Sequence, residues 1–576
     1  MVTIKSENLN LHSLKAISPI DGRHRLMTEP LADWFSEFAL FKYRVHMEIE
    51  YLISLSENEQ FEAVRTFTLE EKDFLRNIVR NFNLKNAQII QNIDRFGYQD
   101  MKATNHDCKS VEYFLKMKIE ESSLKDIVEF VHFGLTSEDM NNIAHNCMIQ
   151  GALDYHYIPN LVSLLDQLKE IAEKEKSTSM LSRTHGQPAT PTTFGKEMAN
   201  YLNRLRIQLI KLKNFKLPAK CNGAVGNHAA QHFSASEVDW IDFTENFIIN
   251  LGFEPNLLTT QIEFHDGFTE LFSIMISINN ILKDLAIDFW TYISLGYLKQ
   301  KKISSEVGSS TMPHKINPWR MEVAEGSVAE ANAKFIGFIN KLQVSRLQRD
   351  LSDHEAQRAI GIGFAHSYLA VLHVLQELER LEINSEKIAL ELKDYGSILT
   401  EAVQTLLRKE GYSQPYELMK DFSRGKHCTV QELHDFIDGL DLREETKLKL
   451  KSLRPENYIG LSKELTELAI RKWNQFKEDY EEPLPAVKKV FLDSDIKNVE
   501  IIEKLKQMEI EVVDGFDNIV DGKGMLYVGP INSQFNEAKR KSLICVNYDS
   551  ERKTKAEYNI VDLSELPDLI NSFRGD

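Results

Sequence analysis

Apolar residues recur every three or four positions over long stretches in the middle of the chain. One run keeps steps of 4, 3, 4, 3, 4 and 3 residues along seven apolar positions: Leu271, Met275, Ile278, Leu282, Leu285, Phe289 and Tyr292. A second run has the same stepping at Met198, Leu202, Leu205, Leu209 and Leu212. This spacing predicts helices with one continuous apolar face. Because helices of some 30 residues cannot bury that face inside a compact globule, we expect a bundle over residues 131–365 that is shared between copies of the chain.

The regions on either side of this bundle have shorter patterns. Residues 1–130 are predicted to be mostly helical with several loops, and residues 366–480 to form shorter amphipathic helices that are interrupted at Gly411 and Gly425. The sequence therefore predicts a mainly α protein with three helical domains.

The last hundred residues have a different pattern. A charged, proline-marked linker, Glu481–Pro485, is followed by predicted strands at 487–492, 511–513, 525–528 and 543–546 and by helices at 498–507 and 564–573. Strands that alternate with helices predict a small α/β domain over residues 484–576 with a partly parallel sheet. Its function stays open between a regulatory small-molecule module, a partner-docking domain and a passive stabiliser.

Charge and composition exclude several classes of protein. A net charge of −17 disfavours general binding of nucleic acid or of anionic membranes, although a local basic pocket for a small anion remains possible. The five cysteines are scattered and lack paired spacing, which disfavours a disulfide framework and a structural zinc site. The N-terminus lacks the apolar segment of a signal peptide, and no uncharged apolar run reaches about 18 residues. We therefore expect a soluble, cytoplasmic protein.

Polar junctions between the predicted helices carry the candidate chemistry. The most informative is Glu306–Pro318, where two serines follow a glycine and where Lys315 and Asn317 add a cation and an amide. Such a segment suits binding of a carboxylate, but taken alone it is more often an ordinary polar loop. Four further junctions have the same character: Ser18–Arg23, Thr104–Asp107, Thr136–Asp139 and Arg183–Pro188. Each alone would be read as a cap or a surface turn.

Taken together, these junctions resemble a known family over residues 14–475. Gly308–Pro318 matches the Gly-Ser-Ser-x-Met-Pro-x-Lys-x-Asn-Pro signature of the fumarase/aspartase superfamily. Thr104–Asp107, Thr136–Asp139, Arg183–Thr190 and Ser345–Asp350 are similar to the adenylosuccinate lyase family in its bacterial long form. The resemblance implies a fumarase/aspartase-like three-domain helical fold around a central long-helix bundle. It also implies a homotetramer whose active sites are shared between subunits.

The activity implied by the resemblance is removal of fumarate from two purine precursors. Adenylosuccinate would give AMP, and succinylaminoimidazole carboxamide ribotide would give the carboxamide ribotide AICAR. Such an elimination needs a base, stabilisation of a doubly charged intermediate and an acid for the departing nitrogen. By resemblance, Ser309 is the base and His185 the acid, Glu322 is the carboxylate partner of His185, and Lys315 favours the serine alkoxide. No metal or organic cofactor is implied.

The remaining site residues are expected to hold anions. By resemblance, the succinyl carboxylates would be bound by Thr136, Ser137, Lys315 and Asn317. The nucleotide and its phosphate would be bound by Arg23, Asn105, His106, Asp107, Gln261, Arg349 and Arg358. Two positions depart from the family: His24 stands where a tyrosine is common, and His354 where a serine is common. A protonated His354 would offer a charged donor in place of a hydroxyl.

Two other functions fit the same sequence. The chain could act by the same mechanism on another succinylated, fumarate-yielding compound, or it could be a structural protein recruited from this superfamily. The intact Ser309, Lys315 and His185 favour an enzyme.

Overall fold

The computed structural model describes residues 12–302 and 310–480, together with the backbone of five short strands between residues 489 and 560. The chain divides into two compact units, Met1–Trp473 and Asn474–Asp576. Helices make up most of the first unit, which confirms the predicted mainly α fold.

The described part of the N-terminal region contains six α-helices, and the predicted site motif Thr104–Asp107 lies at the start of the sixth. They are α1 (Arg25–Thr28), α2 (Ala32–Phe35), α3 (Glu37–Glu57), α4 (Leu69–Arg80), α5 (Leu84–Arg95) and α6 (Asp107–Glu120). Local chemistry fixes their ends. Thr68, for example, caps α4 because its hydroxyl accepts from the N–H of Glu71, whose carboxylate in turn accepts from the N–H of Thr68.

The central region contains the long helices and a few short strands. Its elements are α7 (Ser137–Ala152), α8 (Ile158–Glu175), β1 (Ser179–Thr184), β2 (Gln187–Thr193), α9 (Phe194–Asn214), β3 (Pro218–Ala219), α10 (Ala229–Ser234), α11 (Trp240–Asn250), β4 (Glu254–Pro255), α12 (Asp266–Ser294), β5 (Leu298–Gln300), α13 (Trp319–Leu342), α14 (His354–Arg358) and α15 (Ile360–Leu378). The apolar seam predicted along α12 is buried at six of its seven positions, the exception being the half-buried Tyr292.

Helices α12 and α13 pack antiparallel, which sets the two ends of the bundle. Gln343, just after α13, donates to Asp266 at the start of α12 (2.6 Å). Trp290, near the end of α12, donates to Glu322 in the first turn of α13 (3.1 Å). Because α12 has 29 residues and α13 has 24, these two ends lie about 35–40 Å apart.

Helix α15 returns along α13. Phe335 and Phe364 pack edge to face, with ring centroids 5.4 Å apart. Within the described residues, one stretch, Leu351–Leu378, is long and apolar enough to cross a membrane, but 67% of its most apolar window is buried inside the protein. A buried core helix meets the same criterion. Helix α15 also runs across residue 365, where the sequence predicted a domain boundary.

A smaller helical region lies at the end of the first unit, and its last helix continues past Trp473. It contains β6 (Leu381–Ile383), α16 (Ser385–Leu392), α17 (Thr400–Lys409), α18 (Pro415–Ser423), α19 (Val430–Asp438), α20 (Glu444–Lys451) and α21 (Ser462–Tyr480). Its buried apolar cluster includes Leu399, Val403, Leu433 and Ile437. Helices α17 and α18 are separated around Gly411, and α18 and α19 around Gly425, as predicted.

The second unit contains a five-stranded sheet. Its strands are β7 (Lys489–Leu492), β8 (Glu511–Val513), β9 (Met525–Gly529), β10 (Ile544–Tyr548) and β11 (Tyr558–Ile560). They lie in the order β8-β7-β9-β10-β11, and every pair is parallel, whereas the sequence predicted a partly parallel sheet. This is the order of a doubly wound α/β sheet. The helices predicted at 498–507 and 564–573 lie outside the described residues.

Candidate active site

The first turn of α7 forms part of the wall of a cavity at one end of the bundle. Thr136 caps this helix, and its N–H donates to Asp139 Oδ2 (2.8 Å). Such a turn presents backbone N–H groups and the positive end of the helix dipole, which favour anions. Thr136 and Ser137 both line a cavity of about 970 Å³, together with His106 from the preceding motif. Thr136 and Ser137 therefore lie at a cavity wall, and their role in binding a carboxylate stays a prediction.

A buried ion pair fixes this turn to the segment after β3. Lys220 Nζ lies 2.7 Å from Asp139 Oδ1, and it also donates to the backbone carbonyl of Gln261 (3.0 Å). Asp139 further accepts from the N–H of Asn222 (2.9 Å). The pair therefore brings Gln261, a predicted nucleotide-binding residue, close to α7.

Arg349 reaches the same turn from the loop after α13. Its Nη2 lies 2.8 Å from Glu138 Oε1, and its Nη1 donates to Ser137 Oγ (3.3 Å). Burial raises the pKa of Glu138, although the charge of Arg349 opposes that shift. Arg349 thus lies against the cavity wall, as expected of an anion-binding residue.

Asp107 joins two arginines. Its Oδ2 accepts from Arg358 Nη2 (2.6 Å) and from the buried Arg44 Nη1 (2.9 Å), and His354 Nε2 lies 3.7 Å away. Burial alone would raise the pKa of Asp107, but the neighbouring His354 and the charges of Arg44 and Arg358 hold it far below its usual range. His354, which replaces the family's serine, therefore lies within this charged group and next to Arg358, whose Nε is 3.4 Å from His354 Nε2.

Nine predicted site residues therefore belong to one end of the bundle. We call them the α7-end residues: Asn105, His106, Asp107, Thr136, Ser137, Gln261, Arg349, His354 and Arg358.

Lys315, Asn317 and Glu322 lie at the opposite end. The carbonyl of Asn317 accepts from Gln300 (3.3 Å), just after α12, and Glu322 accepts from Trp290. Lys315 precedes α13, whereas Arg349 follows it, so the length of that helix, about 36 Å, separates these two groups within one chain. Ser309, the predicted base, lies outside the described residues.

Arg23 is found near this second end and away from the other predicted phosphate ligands. The ring centroid of the adjacent His24 lies 6.2 Å from that of His373 in the later part of α15, and Trp319 also packs on His373 (5.7 Å). Residues 358 and 373 are 15 positions apart, or about 22 Å along a helix. Within one chain, Arg23 and Arg358 do not meet.

His185 lies at the exposed tip of the β1–β2 hairpin. Both turn residues, His185 and Gly186, have positive φ (53° and 72°), as a two-residue type I′ turn requires. Arg183, near the tip, pairs with Glu391 Oε2 (2.8 Å), which also accepts from Tyr297 (2.5 Å) three residues after α12. No hydrogen bond or ion pair joins His185 to Glu322 among the described residues, so their pairing stays a prediction.

Several residues that shape the site carry no strong sequence signal. Arg44 lies in an apolar helical stretch, and Lys220 lies between two short polar segments. His132, which lines the cavity, pairs with the buried Glu48 (2.5 Å). A charged residue inside an apolar helix, such as Arg44, is the one pattern that could have indicated a buried partner.

Within the part of the chain that the structure describes, two groups of side chains have the spacing of metal ligands: His106, Asp107 and Cys108, and Glu138, His265 and Asp353. Arginines already neutralise both groups, Arg44 and Arg358 in the first and Arg349 in the second. Burial raises the pKa of the Cys108 thiol to about 12, which keeps it in the protonated form that binds metals poorly.

Known protein families match most of the first unit. Residues 22–331 match a family model described as "Lyase", and residues 345–459 match one described as "Adenylosuccinate lyase C-terminal". The fold is shared with a fumarate lyase from Mesorhizobium sp. BNC1 (TM-score 0.61, 16% identity, 77% of this chain and 97% of that one). It is also shared with a 3-carboxy-cis,cis-muconate lactonizing enzyme from Pseudomonas putida (TM-score 0.58, 19% identity, 78% and 97%).

Curated relatives are considerably more similar in sequence. The chain is 44% identical to an adenylosuccinate lyase of Legionella pneumophila (strain Corby) over 79% of its own length and 99% of that protein. It is 42% identical to an adenylosuccinate lyase of Escherichia coli (strain K12), covering 78% and 98%. The fold and the matching lyase model define a lyase of the fumarase/aspartase superfamily. Within that superfamily, the chain belongs to the adenylosuccinate lyase family, which confirms the resemblance seen in its motifs.

Proposed function

We propose that this protein removes fumarate from adenylosuccinate, giving AMP, and from succinylaminoimidazole carboxamide ribotide, giving AICAR. The observation that carries the proposal is the 44% identity over 99% of a curated adenylosuccinate lyase. The α7-end residues support it, because the start of α7 lines a cavity large enough for a nucleotide. Arg349 contacts Ser137 in the wall of this cavity, and Arg358 contacts Asp107 next to it.

The reaction balances with the protein's own groups. Ser309, as its alkoxide, takes a proton from the succinyl carbon next to the one that bears the nitrogen. The carbon–nitrogen bond then breaks, and His185 gives a proton to the departing nitrogen. Lys315 favours the alkoxide and holds a carboxylate, and Asn317 donates to the same group. Glu322 is the carboxylate partner that orients His185 in the assembled site.

The α7-end residues bind the substrate. Thr136 and Ser137 hold a succinyl carboxylate, while His106, Arg349 and Arg358 bind the nucleotide and its phosphate. Asn105, Asp107, Gln261 and His354 shape this part of the cavity, and Arg23 contributes from its own end of the bundle.

One chain cannot assemble this site, because α13 separates Lys315 from Arg349 by about 36 Å. We therefore propose a homotetramer in which different subunits supply the two ends, in the cytoplasm, where purine precursors are made. Exposed apolar residues on α12 and α13, Ile287, Trp290 and Ile336, offer surface for such packing.

A steady-state assay tests the activity. Purified protein is expected to convert adenylosuccinate to equimolar AMP and fumarate, followed by ultraviolet absorbance and by chromatography of the products. Ser309→Ala should lose turnover while retaining substrate binding by calorimetry. Absence of product from the wild-type tetramer would refute the activity, and retained turnover in Ser309→Ala would refute the assigned base.

A further inference from the structure

Asp353 is a buried carboxylate with few polar contacts to stabilise its charge. It is 2% exposed, and neither of its oxygens has a hydrogen-bond partner among the described residues. It forms a long ion pair with Arg349, whose Nη2 lies 4.0 Å from Asp353 Oδ1. A buried carboxylate without hydrogen bonds destabilises a fold, so its position next to Arg349 suggests a functional reason.

Glu138 faces the same guanidinium more closely. Its side chain is fully buried, and Oε1 accepts from Asn141 Nδ2 (2.7 Å) and lies 2.8 Å from Arg349 Nη2. Its second oxygen, Oε2, has no hydrogen-bond partner among the described residues. Two buried carboxylates therefore surround one arginine.

The same guanidinium also contacts a residue of the cavity wall. Arg349 Nη1 lies 3.3 Å from Ser137 Oγ, and Ser137 lines the cavity of about 970 Å³. Because the guanidinium is planar and its donors form a rigid fork, holding Nη2 on one side sets the direction of Nη1 on the other.

A metal ion is the alternative reading of this cluster, since Glu138, His265 and Asp353 have ligand spacing. His265 is already engaged, however, with its Nε2 lying 2.8 Å from the side-chain nitrogen of Gln357. The guanidinium of Arg349 also supplies positive charge next to both carboxylates. The two carboxylates are better explained as groups that fix the orientation of Arg349.

We propose that Glu138 and Asp353 are positioning residues that hold Arg349 in the orientation in which its Nη1 binds an anionic group of the substrate. Glu138 fixes the guanidinium by direct contact, and Asp353 adds attraction from the same side. This inference rests on the proposed function of the cavity. The anion is either the nucleotide phosphate or a succinyl carboxylate, which share the bidentate chemistry of arginine.

Kinetics of three variants test the proposal: Glu138→Gln, Asp353→Asn and Arg349→Gln. We expect Glu138→Gln to raise the KM for adenylosuccinate about tenfold while kcat changes less than about threefold, because a misdirected guanidinium weakens binding rather than the chemical step. Asp353→Asn should act in the same direction. In the Arg349→Gln background, Glu138→Gln should add less than about twofold, because the residue it positions is already gone.

Product inhibition identifies the anion. AMP carries the phosphate and fumarate carries the carboxylates, so a raised inhibition constant for either product supports the proposal and shows which group Arg349 binds. Glu71→Gln is the matched control, since Glu71 forms a bidentate pair with Arg65 (2.7 and 2.8 Å) outside the cavity. It should lower stability without changing KM.

The outcomes separate this inference from the proposed function. If Arg349→Gln raises KM but neither carboxylate variant does, the positioning role is wrong. The same holds if the effects of Glu138→Gln and Arg349→Gln multiply in the double variant. If Arg349→Gln leaves KM unchanged in an active enzyme, the predicted substrate-binding role of Arg349 is wrong, and with it the positioning role of the two carboxylates. Should Glu138→Gln not fold, Asp353→Asn with the same double-variant comparison decides the question.

Discussion

Lys220 Nζ lies 2.7 Å from Asp139 Oδ1, and both side chains are fully buried. Asp139 also accepts from backbone N–H groups of Thr136 and Asn222. One carboxylate therefore ties the first turn of α7 to the segment after β3. The cavity wall depends on this ion pair, although Lys220 is remote in sequence from the motifs that predicted the site.

Removing Lys220 while keeping Asp139 should destabilise the fold. Lys220→Met leaves Asp139 buried without its cation, and we expect the free energy of unfolding to fall by about 3–5 kcal/mol. Denaturant titration measures this change. Lys216→Met, at an exposed position four residues earlier, is the control and should stay within about 0.5 kcal/mol of wild type. Equal stability of the two variants would show that the buried pair does not hold the turn.

The His132–Glu48 pair should make stability depend on pH. Burial alone would lower the pKa of His132, but the charge and hydrogen bond of Glu48 raise it above its usual value. Because the folded pKa is the higher one, the stabilisation is complete below about pH 6.5 and is lost as the pH rises through the folded pKa.

We therefore expect the stability difference between wild type and His132→Gln to shrink between about pH 6 and pH 9. Denaturant titrations at several pH values measure it, with the exposed His232→Gln as control. A difference that is constant, or that grows with pH, would contradict the assigned ion pair.

Catalysis should survive removal of the second unit. The relative from Legionella pneumophila is matched over 99% of its length by 458 residues of this chain, so the lyase portion is as long as a whole relative. A variant that stops after Tyr480 should keep kcat and KM within about twofold. Steady-state kinetics and sedimentation of both forms measure this. A large change in either constant would give the sheet of β7–β11 a role in the active site or in assembly.

The sequence predicted the helices well because their signal is local. The 3-4 stepping from Leu271 to Tyr292 corresponds to α12, and the breaks at Gly411 and Gly425 separate real helices. Strand β11, Tyr558–Ile560, was not predicted from the sequence. The all-parallel sheet also could not be read from the sequence, since pairing direction depends on contacts between distant segments.

Site residues that belong to sequence motifs could be predicted, whereas site residues that are brought in by packing could not. Thr136, Ser137 and Arg349 were recognised and do come together. Lys220 was not, because a single lysine in a polar segment looks like a solvated residue until the fold buries it. Likewise, no pattern shows that α13 separates Lys315 from Arg349, because this follows from the orientation of a helix.

Mixing two impaired variants tests the shared active site most directly. Lys315→Ala and Arg349→Ala damage opposite ends of the bundle, so each alone should have little activity at a substrate concentration well below the wild-type KM. After the two are unfolded and refolded together, mixed tetramers should recover up to about a quarter of wild-type activity, because some sites then draw both intact residues from different chains. Mass spectrometry of intact tetramers confirms the mixing. Recovered adenylosuccinate cleavage is the predicted result, and confirmed mixed tetramers with no more activity than the average of the two variants would contradict a site shared between subunits.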